Sequence, residues 1–225
     1  MGRGGGLWRA AGWGAAFAGL LAGVGLAAVL VLDIPATGRD TLPATVVLAV
    51  ACPGEDGTVE TPVVAAVDTA SGELTVYDPM TELTIPGTTY DRLRDAYPFG
   101  GGAAVAAAVA RLEGGPAPGY VVFERDAWVA AVDAAGGLAL DSPRPVDVFT
   151  GERLFSFPRG EQVLSGAETC EYLKGAAYLT DTERERIAVQ FAEALVAVMA
   201  DVGPDTSGIA TDLSDQALVA LQGRF

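Results

Sequence analysis

The chain has no histidine and a single lysine, Lys174, among its 225 residues. Without histidine there is no Ser-His-Asp or Cys-His catalysis and no imidazole ligand for a metal. Two cysteines, Cys52 and Cys170, are too few for a structural zinc site. Basic residues number 14 against 29 acidic ones, which argues against a nucleic-acid partner, because neutralising phosphates takes clustered Lys and Arg. Carboxylates, arginines, a few tyrosines and the two thiols remain as the reactive groups.

What is present is hydrophobic mass. Half of the residues are apolar (50%), enough for one medium domain with a core of its own and an appendage. The appendage is residues 7–32, "LWRAAGWGAAFAGLLAGVGLAAVLVL", uncharged after Arg9. About 20 apolar residues suffice to cross a bilayer. Arg3 and Arg9 precede the run, Asp33 follows it, and Trp8 and Trp13 suit an interfacial belt. The expectation is a single-pass anchor in the cell membrane, with the N-terminus inside and everything after Asp33 outside. A cleaved signal peptide is the rival, but its apolar region is typically about 7 to 15 residues and needs a small-x-small site that this run does not end on. Beyond Arg9 the charge is 12 basic residues against 29 acidic ones, a net −17.

Residues 33–44 read as a linker rich in turn formers and 45–225 as one mixed α/β domain. "ATVVLAVAC" (44–52) has the continuous apolarity of a buried strand. "VETPVVAAVD" and "LTVY" flank a turn at Ala70, Ser71 and Gly72, and Pro79 ends the second of them. "GGAAVAAAVARLEGG" and "ERDAWVAAVDAAGG" read as helices stopped by glycine pairs. Ser165 with Glu168, and Thr180 with Glu183, have capping-box spacing. After the second box, Ile187, Phe191, Leu195 and Val198 or Met199 recur at helical spacing, a core-facing stripe. A last helix is expected after Ser214.

Four segments in this order, "TIPGTTYDRLRDAYPFGG" (84–101), "GYVVFERDAWVAAVDAAGGLALDSP" (119–143), "FPRGEQVLSGAETCEYLKG" (157–175) and "ATDLSDQALVAL" (210–221), make the chain resemble the LytR-CpsA-Psr (LCP) family. The resemblance runs from about residue 45 to 222. It implies a single mixed-sheet α-β-α domain after one N-terminal transmembrane helix. It also implies an extracytoplasmic activity, transfer of glycopolymers from a polyprenyl pyrophosphate carrier to the cell wall. The family's acids bind magnesium and, with its arginines, neutralise the pyrophosphate; a metal and bidentate guanidinium groups are what stabilise charge developing on phosphate oxygens.

At the positions that the resemblance assigns to this chemistry, the chain departs from the family. Cys52 stands at the first aspartate, Thr58 at an arginine, Met80 and Thr81 at an Arg-Asp pair, Lys174 and Ala176 at two arginines, and Ile187 at another. Glu60 keeps a carboxylate and Arg184 keeps its place, so Glu60, Lys174 and Arg184 are the remnant catalytic candidates. Two of them have a plainer reading: Lys174 as a solvated charge, Arg184 as a partner of Glu183 or Asp181. Asp78 and Glu82 flank the lost pair and could replace its acid, or be surface carboxylates. Tyr97 reads as packing and Glu124 as a helix cap.

The resemblance further implies a lipid pocket between the sheet and the helices at 102–113 and 182–200, for which Met80, Ala103, Ala107 and Ala192 are candidates. It places Cys52 and Cys170 near one location, hence a disulfide across the former active site on the oxidising side of the membrane. The expected function is an anchored envelope protein that binds a polyprenyl-phosphate-type lipid or an envelope partner, with most catalytic groups lost and no cofactor. One alternative is an active phosphotransferase that uses Mg2+ to attach glycopolymers. Another is an envelope interaction module without a lipid, bound to envelope proteins or glycopolymer.

Overall fold

The computed structural model describes residues 38–202 and 206–225. The run at 7–32, and with it the anchor expected there, lies outside the described residues. No helix among the described residues is long and apolar enough to cross a membrane. Residues 38–44, read above as the end of a linker, are already held by the domain: Arg39 pairs with Asp212 at 2.7 Å and bridges Leu213 through its backbone.

Strand β1 (Thr45–Pro53) is the centre of a five-stranded sheet of order β3-β2-β1-β4-β9. It pairs antiparallel with β2 (Val59–Asp68) and parallel with β4 (Gly119–Glu124). The short strands β3 (Leu74–Tyr77) and β9 (Ile209–Thr211) close the two edges, both antiparallel to their neighbours. Side chains alternate across a strand, so β1 serves two cores. Val46, Leu48, Val50 and Cys52 face one side, and Val47, Ala49 and Ala51 the other. All seven are buried, which explains why the segment reads as an unbroken apolar run rather than an alternating one. Between Val50 and Cys52 the register with β2 shifts, beside Pro62, which has no N–H to give to the ladder.

One face is covered by α1 (Gly101–Glu113), entered through a 3₁₀ turn at Leu93–Phe99. The other carries α2 (Arg125–Ala134), α3 (Gly166–Ala176), α4 (Asp181–Ala200) and α5 (Asp215–Gln222). Two antiparallel ribbons complete that side: β5 (Leu138–Ser142) with β8 (Gly160–Leu164), and β6 (Val146–Phe149) with β7 (Leu154–Phe157). "LALDSPRPVDVF" (138–149) reads as extended structure and forms β5 and β6, and the resemblance implies the strand that becomes β4; the 3₁₀ turn, β7, β8 and β9 are additional.

Helix termini follow their chemistry. At α3, the Ser165 N–H donates to Glu168 Oε2 at 2.9 Å and the Glu168 N–H to Ser165 Oγ at 3.4 Å; at α4 the Thr180 N–H donates to Glu183 Oε2 at 3.0 Å. α1 ends on Gly114 in the left-handed region, φ 66°. The α4 stripe is buried throughout, from Ile187 through Phe191 and Leu195 to Val198 and Met199. Buried polar atoms on this side find partners: Trp128 Nε1 donates to Thr169 Oγ1 at 2.7 Å, and Tyr172 Oη lies 2.8 Å from Ser142 Oγ.

Cys52 and Cys170 are joined by a disulfide, with Cα atoms 5.9 Å apart at a sequence separation of 118. It ties the end of β1 to the middle of α3, closing a long loop, which is where a crosslink removes most freedom from the unfolded chain. Replacing both cysteines by alanine is expected to destabilise the domain by about 2 to 4 kcal/mol, read as a lower midpoint in urea; an unchanged midpoint would show that the bridge carries no stability.

Helices α2 and α3 meet at Gly166, where an added Cβ would lie 2.3 Å from the Val129 carbonyl oxygen and 2.5 Å from its Cα. The contact is with backbone, which cannot swing aside. Gly166→Ala should therefore cost about 1 to 3 kcal/mol by forcing the helices apart, while Gly115→Ala, where nothing lies within 4 Å, should leave the midpoint unchanged.

Candidate functional site

The parallel pair β1 and β4 ends at a corner where the chain leaves in opposite directions along the sheet, the place where open α/β sheets bind ligands. The disulfide sits there. Directly across the ladder from Cys52 is Glu60, its carboxylate 3.2 Å from Arg94 Nε. Burial pushes the Glu60 carboxyl above its usual range, with Arg94 opposing the shift. Arg94 also reaches Asp95 at 3.7 Å. In the loop after β1, the Thr58 N–H donates to Asp56 Oδ1 at 2.8 Å, and the Tyr178 hydroxyl donates to Glu55.

Glu60, Met80 and Lys174 border a common cavity of about 470 Å³ with Arg92 and Arg94. The last two were missed in the sequence reading, which followed the family's motif positions; the signal was the Arg-Leu-Arg repeat of "YDRLRDAY" in a chain poor in basic residues. Lys174 is held by Glu171 at 2.9 Å, its side chain 15% exposed. Arg184 does not line this cavity but the small one beside it, which shares Met80, Arg94 and Ala177 with it. Its Nε and Nη2 take both Asp78 oxygens at 3.3 and 3.0 Å, Nη2 also reaches Asp181 at 2.8 Å, and Nη1 donates to the Leu179 carbonyl at 2.7 Å. Burial raises the Asp78 carboxyl, but the bonds from Arg184 and from the Met80 N–H outweigh it and hold it below the usual range. Asp78 is thus the anchor of Arg184 rather than a free acid, and Arg184 has little left for a phosphate.

The magnesium implied by the resemblance does not fit these donors. The Cys52 sulfur is consumed in the bridge, Glu60 faces Arg94, Asp56 caps its own loop, and among the described residues no group of three or more acidic, Cys or His side chains is placed to hold a metal. One smaller reading is corrected, while Tyr97, read as packing, does pack against the α1-side core. Glu124 makes no capping bond to α2; it accepts from the Tyr97 hydroxyl at 3.2 Å. Burial and that carboxylate push the Tyr97 phenol up to about 12.

The lipid pocket expected between the sheet and the helices at 102–113 and 182–200 is not one space shared by both helices, because α1 and α4 lie on opposite faces of the sheet. Ala103 and Ala107 are exposed on the outer side of α1, and Ala192 is fully buried in the α4 core. Met80 borders the corner. A different cavity, about 740 Å³, opens between α2 and α4. Phe123, Val132, Leu138 and Val198 make its floor, and alanines of both helices make its walls. Beside it a crevice of about 720 Å³ runs along the carboxyl ends of β1 and β4, and the two share Ala127, Ala130 and Ser207.

The architecture has solved counterparts. TagV of B. subtilis superposes with a TM-score of 0.55 at 18% identity, covering 83% of this chain and 80% of that one. A transcriptional regulator from Enterococcus faecalis gives 0.56 at 23%, covering 82% and 71%. TagT (YwtF), known from B. subtilis and solved with bound octaprenyl pyrophosphate lipid, gives 0.51 at 17%, covering 84% and 74%. At these identities the likeness speaks for the fold. No curated protein matches the chain. The pattern of the LytR_cpsA_psr family, however, matches residues 63–214, well over half of the sequence, and the chain belongs to that family.

Proposed function

We propose that this protein is a cell-envelope member of its family that holds a long-chain, isoprenoid-type lipid and does not transfer a glycopolymer. Residues 7–32 anchor it in the cell membrane, and the domain lies on the outer side, where a disulfide persists. The observation that carries the reading is the 740 Å³ cavity between α2 and α4, within the range of ligand pockets and walled by small apolar side chains. A relative, TagT, is described with bound octaprenyl pyrophosphate lipid and in other crystals with LIIa-WTA and LI-WTA, so lipid-borne glycopolymers are the reference ligands for the fold. Retention without transfer follows from the corner. Cleaving a phosphoanhydride needs donors free to meet new negative charge, and here Lys174 and Arg184 are occupied by carboxylates while a disulfide stands at the end of β1.

The binding half is tested on the full chain in detergent micelles by native mass spectrometry, with geranylgeraniol and its monophosphate as probes. At least one should be retained, and Ala194→Trp, which fills the cavity from α4, should abolish retention. Retention of neither probe would favour the lipid-free interaction module.

The catalytic half is tested with a polyprenyl pyrophosphate and Mg2+. Phosphate release should be undetectable, since each missing charge-stabilising contact typically costs about 10²- to 10³-fold. Turnover that disappears in Glu60→Gln would instead establish the phosphotransferase, with Glu60, Arg94 and Lys174 as its machinery.

A further inference from the structure

The charges around the α2–α4 cavity say which head group its occupant has. Its floor is buried and apolar, while its exposed rim, among the described residues, consists of alanines, Ser207 and two acids, Glu193 and Asp201. No lysine or arginine lines it among the described residues. The adjoining crevice does not supply the missing positive charge: its one cation among the described residues, Arg125, stands between Glu124 and Asp126 and is 2.9 Å from the latter. Gln190, the amide on the wall, is turned to the Asp141 backbone, whose N–H donates to its Oε1 at 2.8 Å. An amphiphile with its tail between the helices would hold its head at this rim. A phosphate there would meet two carboxylates and no cation, in a chain of net charge −15, and like charges brought together at a binding surface select against the partner.

We therefore infer that the cavity takes a long-chain lipid whose head group carries no negative charge, a neutral isoprenoid alcohol being the simplest member, and that Glu193 and Asp201 enforce the choice. This rests on the lipid-holding reading above and goes beyond it, since the ligand seen on the relative TagT is a pyrophosphate. In this chain the cavity has kept its hydrophobic floor while its mouth disfavours anions.

The test is a competition on the full chain in nonionic detergent at pH 7, geranylgeraniol against geranylgeranyl monophosphate, read by native mass spectrometry. The alcohol should bind about tenfold more tightly, and the preference should fall or reverse in the double variant Glu193→Lys, Asp201→Lys. Ala194→Trp should block the alcohol in both backgrounds. Equal or tighter binding of the monophosphate to the wild-type chain would overturn the inference while leaving the lipid-holding reading intact. A preference for the alcohol that the double lysine variant leaves unchanged would overturn the role of the two acids. Retention of neither probe would overturn both readings together. Melting curves of the variants show that each is folded, so lost binding is not lost structure.

Discussion

A strand that meets no water on either face governs this domain. β1 supplies Val46, Leu48, Val50 and Cys52 to one core and Val47, Ala49 and Ala51 to the other, and each of its valines and Leu48 contributes roughly 1.5 to 3 kcal/mol when fully buried. A shift of the strand by one residue would exchange the two sets, placing the small alanines against α3 and α4 and the valines against α1. The disulfide acts in the same sense. With Cys52 bonded to Cys170, the end of β1 cannot slide or twist without moving α3, and α3 in turn is seated on α2 through Gly166 and on the β6 ribbon through Gly175.

That bond also shapes the site. The carboxyl end of a parallel strand is where the sheet's topology leaves a crevice, and the residue there is normally free to act. Here it is a sulfur in a covalent bridge. The charges around it are paired with one another. Glu60 turns to Arg94, Arg184 ties the end of β3 to the start of α4 through Asp78, and Lys174 stays on its own helix with Glu171. An ion pair that is partly buried holds geometry well but gives up little of its charge to an incoming ligand.

Much of this was legible in the residues. The long apolar run of β1, both capping boxes, the α4 stripe and the glycine stops rest on local chemistry, and the chain needs no tertiary information to display them. The strands that escaped detection are short and half-exposed: "LFSF" and "GEQVL" bury few side chains, and β9 has three residues. Their pairing comes from partners far away in sequence. Arg92 and Arg94 escaped for a related reason. Motif positions say which charges are missing, but only the fold shows which others a 3₁₀ turn carries into the vacated corner. Glu124 stands just before α2 as a cap would, yet Tyr97, 27 residues upstream, claims its carboxylate.

The alanines show most clearly where sequence stops. Ala103, Ala107, Ala192 and Ala194 have the same side chain and lie on helices that are both rich in alanine. Two face solvent, one is fully buried, and one lines a cavity. A small side chain makes room only where two backbones are held apart by something else. Between α2 and α4 those spacers are Phe123 and Leu138 beneath and the β5 ribbon beside, with Gln190 of α4 bonded to the backbone of Asp141 in β5. On α1 the sheet lies on one side only, so a missing side chain there leaves nothing but water. The lipid-sized space is therefore a property of how α4 is propped on β5, and the alanines permit it without creating it.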